Sequence, residues 1–130
     1  MASWYAAHLV MYVKFREGGQ ARFPVWENVV LLSAGDEAEA FEKAERRGRE
    51  DAEDDGSFRW GGKPARWVFA GVRKLTACDE PARRPGDGTE ITYTEMVLDS
   101  EQSVERLVKG EPVSVRIADR FVDAPEGVTV

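Results

Sequence analysis

With 130 residues, a hydrophobic fraction of 42% and a charged fraction of 32%, the chain has the length and balance of one globular domain, able to bury about two thirds of the surface that its unfolded form exposes. A formal net charge of −6 argues against nonspecific nucleic-acid binding, which needs Lys and Arg to displace counterions from phosphates. The apolar runs are too short for a bilayer, the start Met1-Ala2-Ser3-Trp4-Tyr5 lacks the basic flank of a secretory signal, and the lone Cys78 excludes an internal disulfide or a cysteine-rich zinc site. The expectation is a cytoplasmic protein with no membrane contact.

The acidity is local. Asp36 to Asp55 carries ten acids and four bases, and the rest of the chain balances. Such a distribution suits a soluble protein or one that meets a basic partner.

Trp4 to Phe15 alternates with period two, and Tyr5, Ala7, Leu9, Met11, Val13 and Phe15 form a wholly apolar row. This predicts a long strand with one committed core face. Gly18-Gly19 and a second apolar run from Phe23 to Leu32 complete a hairpin. Asp36, followed three residues later by Glu39, has capping-box spacing, and the helix it opens is expected to reach about Ala52. Glu39/Lys43, Glu42/Arg46 and Glu45/Arg49 are acid-to-base pairs at i,i+4. Its inward stripe of Ala40, Phe41, Ala44, Gly48 and Ala52 is mostly small, which allows close approach to a sheet, with Phe41 as the anchor.

Glu53 to Pro64 reads as a loop. Ala65 to Ala77 reads as a third strand, with Trp67, Phe69 and Leu75 on one face and Val68, Ala70 and Val72 on the other. Pro81, Pro85, Gly86 and Gly88 mark a surface turn, after which Glu90 to Leu98 alternates as a fourth strand paired with the third. Asp99 with Gln102, then Val104, Leu107, Val108 and Gly110, signals a second helix over about Ser100 to Lys109. Val113, Val115 and Ile117 form a short edge strand, followed by a loose tail.

The motifs with chemical potential are few. Ser57 to Pro64 looks like a phosphate-binding loop, but Ser57 stands where a glycine is required and Pro64 where a hydroxyl must meet magnesium. His8 is the only histidine, so neither a transition-metal shell nor a cofactor is expected. A Cys78–His8 dyad has no flanking signature, and a free cysteine usually packs. Asp51, Glu53, Asp54 and Asp55 lack EF-hand spacing and read as a solvated helix end. Phe58, Arg59, Trp60, Lys63, Arg66 and Trp67 interleave bases with aromatics as single-strand binders do, yet acids lie immediately upstream.

The second face of the first strand is the most informative pattern. Trp4, His8, Tyr12 and Lys14 stand opposite the core row, and Trp67, Phe69, Tyr93 and Glu95 continue that face if the register cooperates. Aromatic and polar mixtures of this kind are enriched at interfaces. The competing outcome is a minor core covered by the second helix or the C-terminal segment.

Trp4-Tyr5-x-Ala7-x-Leu9, Glu27-x-Val29-x-Leu31, Ala40-Phe41-x-x-Ala44, Trp67-x-Phe69-x-Gly71-Val72 and Asp87-Gly88-Thr89-Glu90 with Tyr93 occur in that order. On these motifs, over about residues 4 to 109, the chain resembles a small bacterial family catalogued as domain of unknown function 4288. The resemblance implies a compact α+β domain and brings no activity, cofactor or catalytic residue with it.

The reading is an α+β domain spanning residues 1–130 with a core over about 4–119, a mainly antiparallel sheet in the order β-β-α-β-β-α-β, and the Asp36 helix packed on the Tyr5, Leu9, Met11, Val13 and Phe15 face. Its function is read as a nonenzymatic protein-binding module, of inhibitor or immunity type, with Trp4, His8, Tyr12, Trp67, Tyr93 and Glu95 as binding residues. The partner is a second copy or another protein. The alternative is a small-ligand site or an enzyme on the aromatic-polar face, discriminated by a deep pocket lined by His8, Tyr93 and Glu95.

Overall fold

The computed structural model describes residues 2–78 and 83–119. The long period-two row becomes β1 (Ser3–Phe15), which pairs antiparallel with β2 (Val25–Ala34) from Ser3↔Ala34 to Tyr12↔Val25 without a register break. β2 starts two residues later than the apolar run suggested. Asp36 caps α1 (Glu37–Asp51) by accepting the Glu39 amide at 2.8 Å, while Glu39 accepts from the Gly35 amide at 3.1 Å. Asp36 therefore satisfies the Glu39 amide as the spacing required, while the Glu39 carboxylate reaches one residue further back than the capping-box partner, to Gly35. Of the expected helix-surface pairs Glu39–Lys43 is present, at 4.0 Å, together with Arg47–Asp51.

The Glu53 to Pro64 stretch is not all loop. β3 (Arg59–Trp60) folds back on β4 (Lys63–Ala77) across Gly61 and Gly62. Both glycines have positive φ, 58° and 82°, which matches the twist of a two-residue hairpin turn. The resemblance of Ser57 to Pro64 to a phosphate loop thus ends in a hairpin. The sheet order is β2-β1-β4-β3.

α1 lies on one face of this sheet. Ala40, Ala44 and Gly48 are buried, Phe41 is half-buried, and Tyr5, Ala7, Leu9, Ala34 and Leu75 complete the core with Val30, Leu32, Phe69 and Val72 against it. The small stripe brings the helix axis close, as its composition dictated.

Two corrections concern the second half. β4 carries bulges opposite His8/Leu9 and Val10/Met11, leaving Arg73 and Ala70 unmatched. Each bulge shifts the side-chain phase by one residue. Val72 therefore faces the helix opposite Leu9, with Trp67, Phe69 and Leu75, instead of sharing a face with Val68 and Ala70. Glu90 to Leu98 is not a strand hydrogen-bonded to β4. Only β5 (Met96–Val97) is extended and paired, and its partner is β6 (Arg116–Ile117) in a separate ribbon.

Between these strands α2 (Glu101–Lys109) is capped by Ser100, not Asp99, and ends at Gly110 with φ 76°. The expected loose tail lies outside the described residues, as does part of the proline-rich turn.

Candidate functional site

The segment from Ile91 to Asp119 meets the sheet face opposite α1 at its two ends, and there it closes over a polar cluster. The Cys78 thiol, at the end of β4, donates to the Ile91 carbonyl at 3.9 Å. Lys74 Nζ donates to the Tyr93 carbonyl at 2.7 Å and to Asp119 Oδ2 at 2.8 Å, and lies 3.4 Å over the Tyr93 ring. The Ile91 and Tyr93 carbonyls, which a β4 hairpin would have placed in its ladder, accept from side chains instead.

His8 sits at the centre. It is 1% exposed and Lys74 0%, so both are sealed from solvent. His8 Nδ1 lies 2.5 Å from Glu27 Oε2, and Nε2 lies 2.6 Å from Thr92 Oγ1. An ionised carboxylate only accepts, so Nδ1 donates to Glu27, while Nε2 and the Thr92 hydroxyl share the second bond. Arg73 grips Glu27 through Nε and Nη2, both at 2.8 Å, and reaches Asp119 Oδ1 at 2.9 Å. Consecutive residues of a regular strand point to opposite faces; the bulge at Arg73 lets it share Asp119 with Lys74.

Glu27 and Asp119 balance Arg73 and Lys74. Burial pushes the Glu27 carboxyl up, but hydrogen bonds from Arg73 and His8 outweigh it and leave the group below its ordinary value. Burial likewise acts upward on Asp119, and Arg73 and Lys74 hold it far below the carboxylate range. Bonds to Glu27 and Asp119 raise Arg73 in turn. The cluster is a compensated ion network, the arrangement in which buried charge is tolerated.

The sequence-derived site residues do not form one surface. Trp4, His8 and Tyr12 share the outer face of β1, but His8 is buried beneath Thr92, which makes that end of the face a minor core. Tyr12 is half-buried, edge-on to Phe23 at 5.9 Å. Trp67 pairs with Val13 and faces α1, because the β1–β4 register sets it there. Tyr93 joins the cluster through Lys74, while Glu95 is exposed and its carbonyl accepts from Ala118 at 2.7 Å. Glu27, Arg73, Lys74, Thr92 and Asp119 were missed. Two signals were available: Glu27 as the one charge within the apolar β2, and Arg73-Lys74 interrupting β4.

A second cluster stands on the helix face at the end of α1. Trp26 meets Trp67 at 4.9 Å and 76°, and Trp60 at 5.6 Å and 84°; Phe58 stacks on Trp67 at 5.5 Å. A cavity of about 310 Å³ is lined by Met11, Trp26, Asn28, Asp51 and Trp67. Another of about 350 Å³ lies against Glu53, Asp54, Asp55, Phe58 and Trp67. Neither includes His8, Tyr93 or Glu95. Among the described residues no three His, Cys, Asp or Glu side chains converge to hold a metal, and no helix is long and apolar enough to cross a membrane.

No curated protein and no solved structure matches the chain. The family model described as "Domain of unknown function (DUF4288)" matches residues 4–93, so its match ends where Tyr93 meets Lys74 and short of α2. On this match the chain belongs to the DUF4288 family.

Proposed function

We propose that the domain is a nonenzymatic protein-binding module whose first partner is a second copy of itself, met through α2. The observation that carries this reading is the uncovered apolar stripe of that helix. No residue of α2 is buried, and Val104, Leu107 and Val108 are 48%, 37% and 82% exposed. A helix of nine residues is not stable in water on its own propensity and draws its stability from burying such a face. Val97, Val115 and Ile117 of the same β5–α2–β6 unit are exposed as well.

The charges favour a second copy. Glu101 lies in the first turn of α2 and Arg106 and Lys109 in its last, with Glu105 at the middle. Two copies packed antiparallel about a two-fold axis set acids against bases while the stripes meet. A patch of this size fits a weak dimer, below the burial of a standard stable interface. An inhibitor or immunity role would draw on the same stripe for a different protein.

Light scattering across a concentration series tests the reading. The expected result is a monomer–dimer equilibrium abolished by Leu107→Lys with Val108→Glu, circular dichroism of the sheet being retained. A wild-type protein monomeric at the highest concentration overturns it. So does a dimer lost instead on Val29→Lys with Leu31→Lys, at the outer face of edge strand β2.

One observation favours the enzymatic alternative: the order Thr92 hydroxyl, His8 imidazole, Glu27 carboxylate follows that of a nucleophile, its base and the group orienting the base. Burial of His8 and the second claim of Arg73 on Glu27 weigh toward a structural clasp. Covalent labelling of Thr92 by a fluorophosphonate, located by mass spectrometry, would favour the enzyme.

A further inference from the structure

We infer that the corner between Trp26 and Trp67 is a binding site for a small free molecule bearing a quaternary ammonium group. The two rings meet at 76°, forming adjacent walls of the cavity of about 310 Å³ whose other sides are Met11, Asn28 and Asp51. Each wall is buttressed from outside that corner, Trp26 edge-on by Trp60 and Trp67 by the stacked Phe58. The site is therefore set in position before any ligand arrives, which lowers the entropic cost of binding.

An aromatic corner of this kind attracts a diffuse cation through the negative faces of its rings. A quaternary ammonium has no N–H donor to satisfy, so it suits a wall of indoles better than a primary ammonium does. The surroundings reinforce the sign. Asp51, Glu53, Asp54 and Asp55 rim the two cavities on either side of Trp67. Among the described residues they pair with two bases, Arg47 on Asp51 and Arg16 on Asp54. Among the described residues the stacked cations are Lys63 over Phe15 and Lys74 over Tyr93, and neither of them lies on Trp26 or Trp67. Trp26 remains 39% exposed, which keeps the corner open to entry.

The test is titration of the whole protein with choline, followed by tryptophan fluorescence and calorimetry, beside 3,3-dimethylbutanol, the uncharged carbon analogue of the same shape. Choline is expected to bind saturably and the alcohol about tenfold more weakly, the worth of a desolvated cation–π contact. Trp26→Leu should abolish choline binding. Should that variant lose its fold, Asp51→Asn leaves both walls in place and should weaken choline while leaving the alcohol unchanged. Equal binding of the two compounds, or no saturable choline binding, overturns the inference. Tighter binding of a trimethyllysine peptide than of choline, by tenfold or more, overturns the assignment to a free small molecule.

Discussion

Gly48 of α1 lies so close beneath Phe69 of β4 that a Cβ placed on it would sit 2.3 Å from the ring. Alanine is worth about 1 kcal/mol more than glycine inside a helix, yet here it must displace a ring that packs against the core. Overpacking of this kind costs about 1–3 kcal/mol. Gly48→Ala is therefore expected to lower the melting temperature despite its better helix propensity, and a rise in melting temperature would mean that Phe69 moves freely.

Phe41 is half-buried against the same core. Complete removal of a buried Phe costs about 3–5 kcal/mol, and partial exposure places Phe41→Ala at the lower end, about 3 kcal/mol. Chemical denaturation reads this as a lower midpoint with an unchanged slope.

The pH dependence follows from the cluster on the other face. Glu27 and Asp119 titrate below their ordinary values in the fold, so the folded state binds fewer protons than the unfolded chain in mild acid. Their stabilisation is complete above the unfolded carboxylate range, about pH 4, and is lost as pH falls through the depressed values. Glu27→Gln should lower stability near neutral pH and make the acid limb of the stability curve shallower. An acid limb identical to wild type would show that Glu27 contributes nothing to it.

How far the fold was legible depended on whether its determinants were local. The period-two row of β1, the Asp36 cap and Gly110 act within a few residues, and each could be read directly. The bulges at Ala70 and Arg73 depend on pairing with β1. Once they shift the phase of β4, a strict alternation gives the wrong face for Val72. The fate of residues 90–98 depends on partners far away in sequence: Thr92 meets His8 84 residues distant, and Asp119 meets Arg73 at 46. Alternation cannot report such contacts. His8 and Tyr93 were picked out for their chemistry and do belong to one cluster, while Trp67 was assigned to the wrong face because its register was not readable.

Asp119 fastens the segment over residues 91–119, being 2% exposed and bonded to both Arg73 and Lys74. Asp119→Ala leaves Lys74, itself wholly buried, with only the Tyr93 carbonyl and ring. Removing one partner of a buried pair costs about 3–5 kcal/mol; because Arg73 keeps Glu27, the lower figure is expected. The loss should appear first as faster amide hydrogen exchange over residues 91–98, with β1, β2 and α1 still protected. Lys74→Met combined with Asp119→Leu removes both charges and fills the space with apolar atoms, and should recover most of the stability. If the double variant is as unstable as Asp119→Ala alone, relief of the stranded ammonium is offset by loss of the Lys74 hydrogen bond to the Tyr93 carbonyl. Since Thr92 and Tyr93 sit on the same segment, the same exchange measurement on Thr92→Val separates the two fastenings: protection lost only around residue 92 assigns His8 a local role, and loss extending to residues 116–119 makes the cluster one cooperative unit.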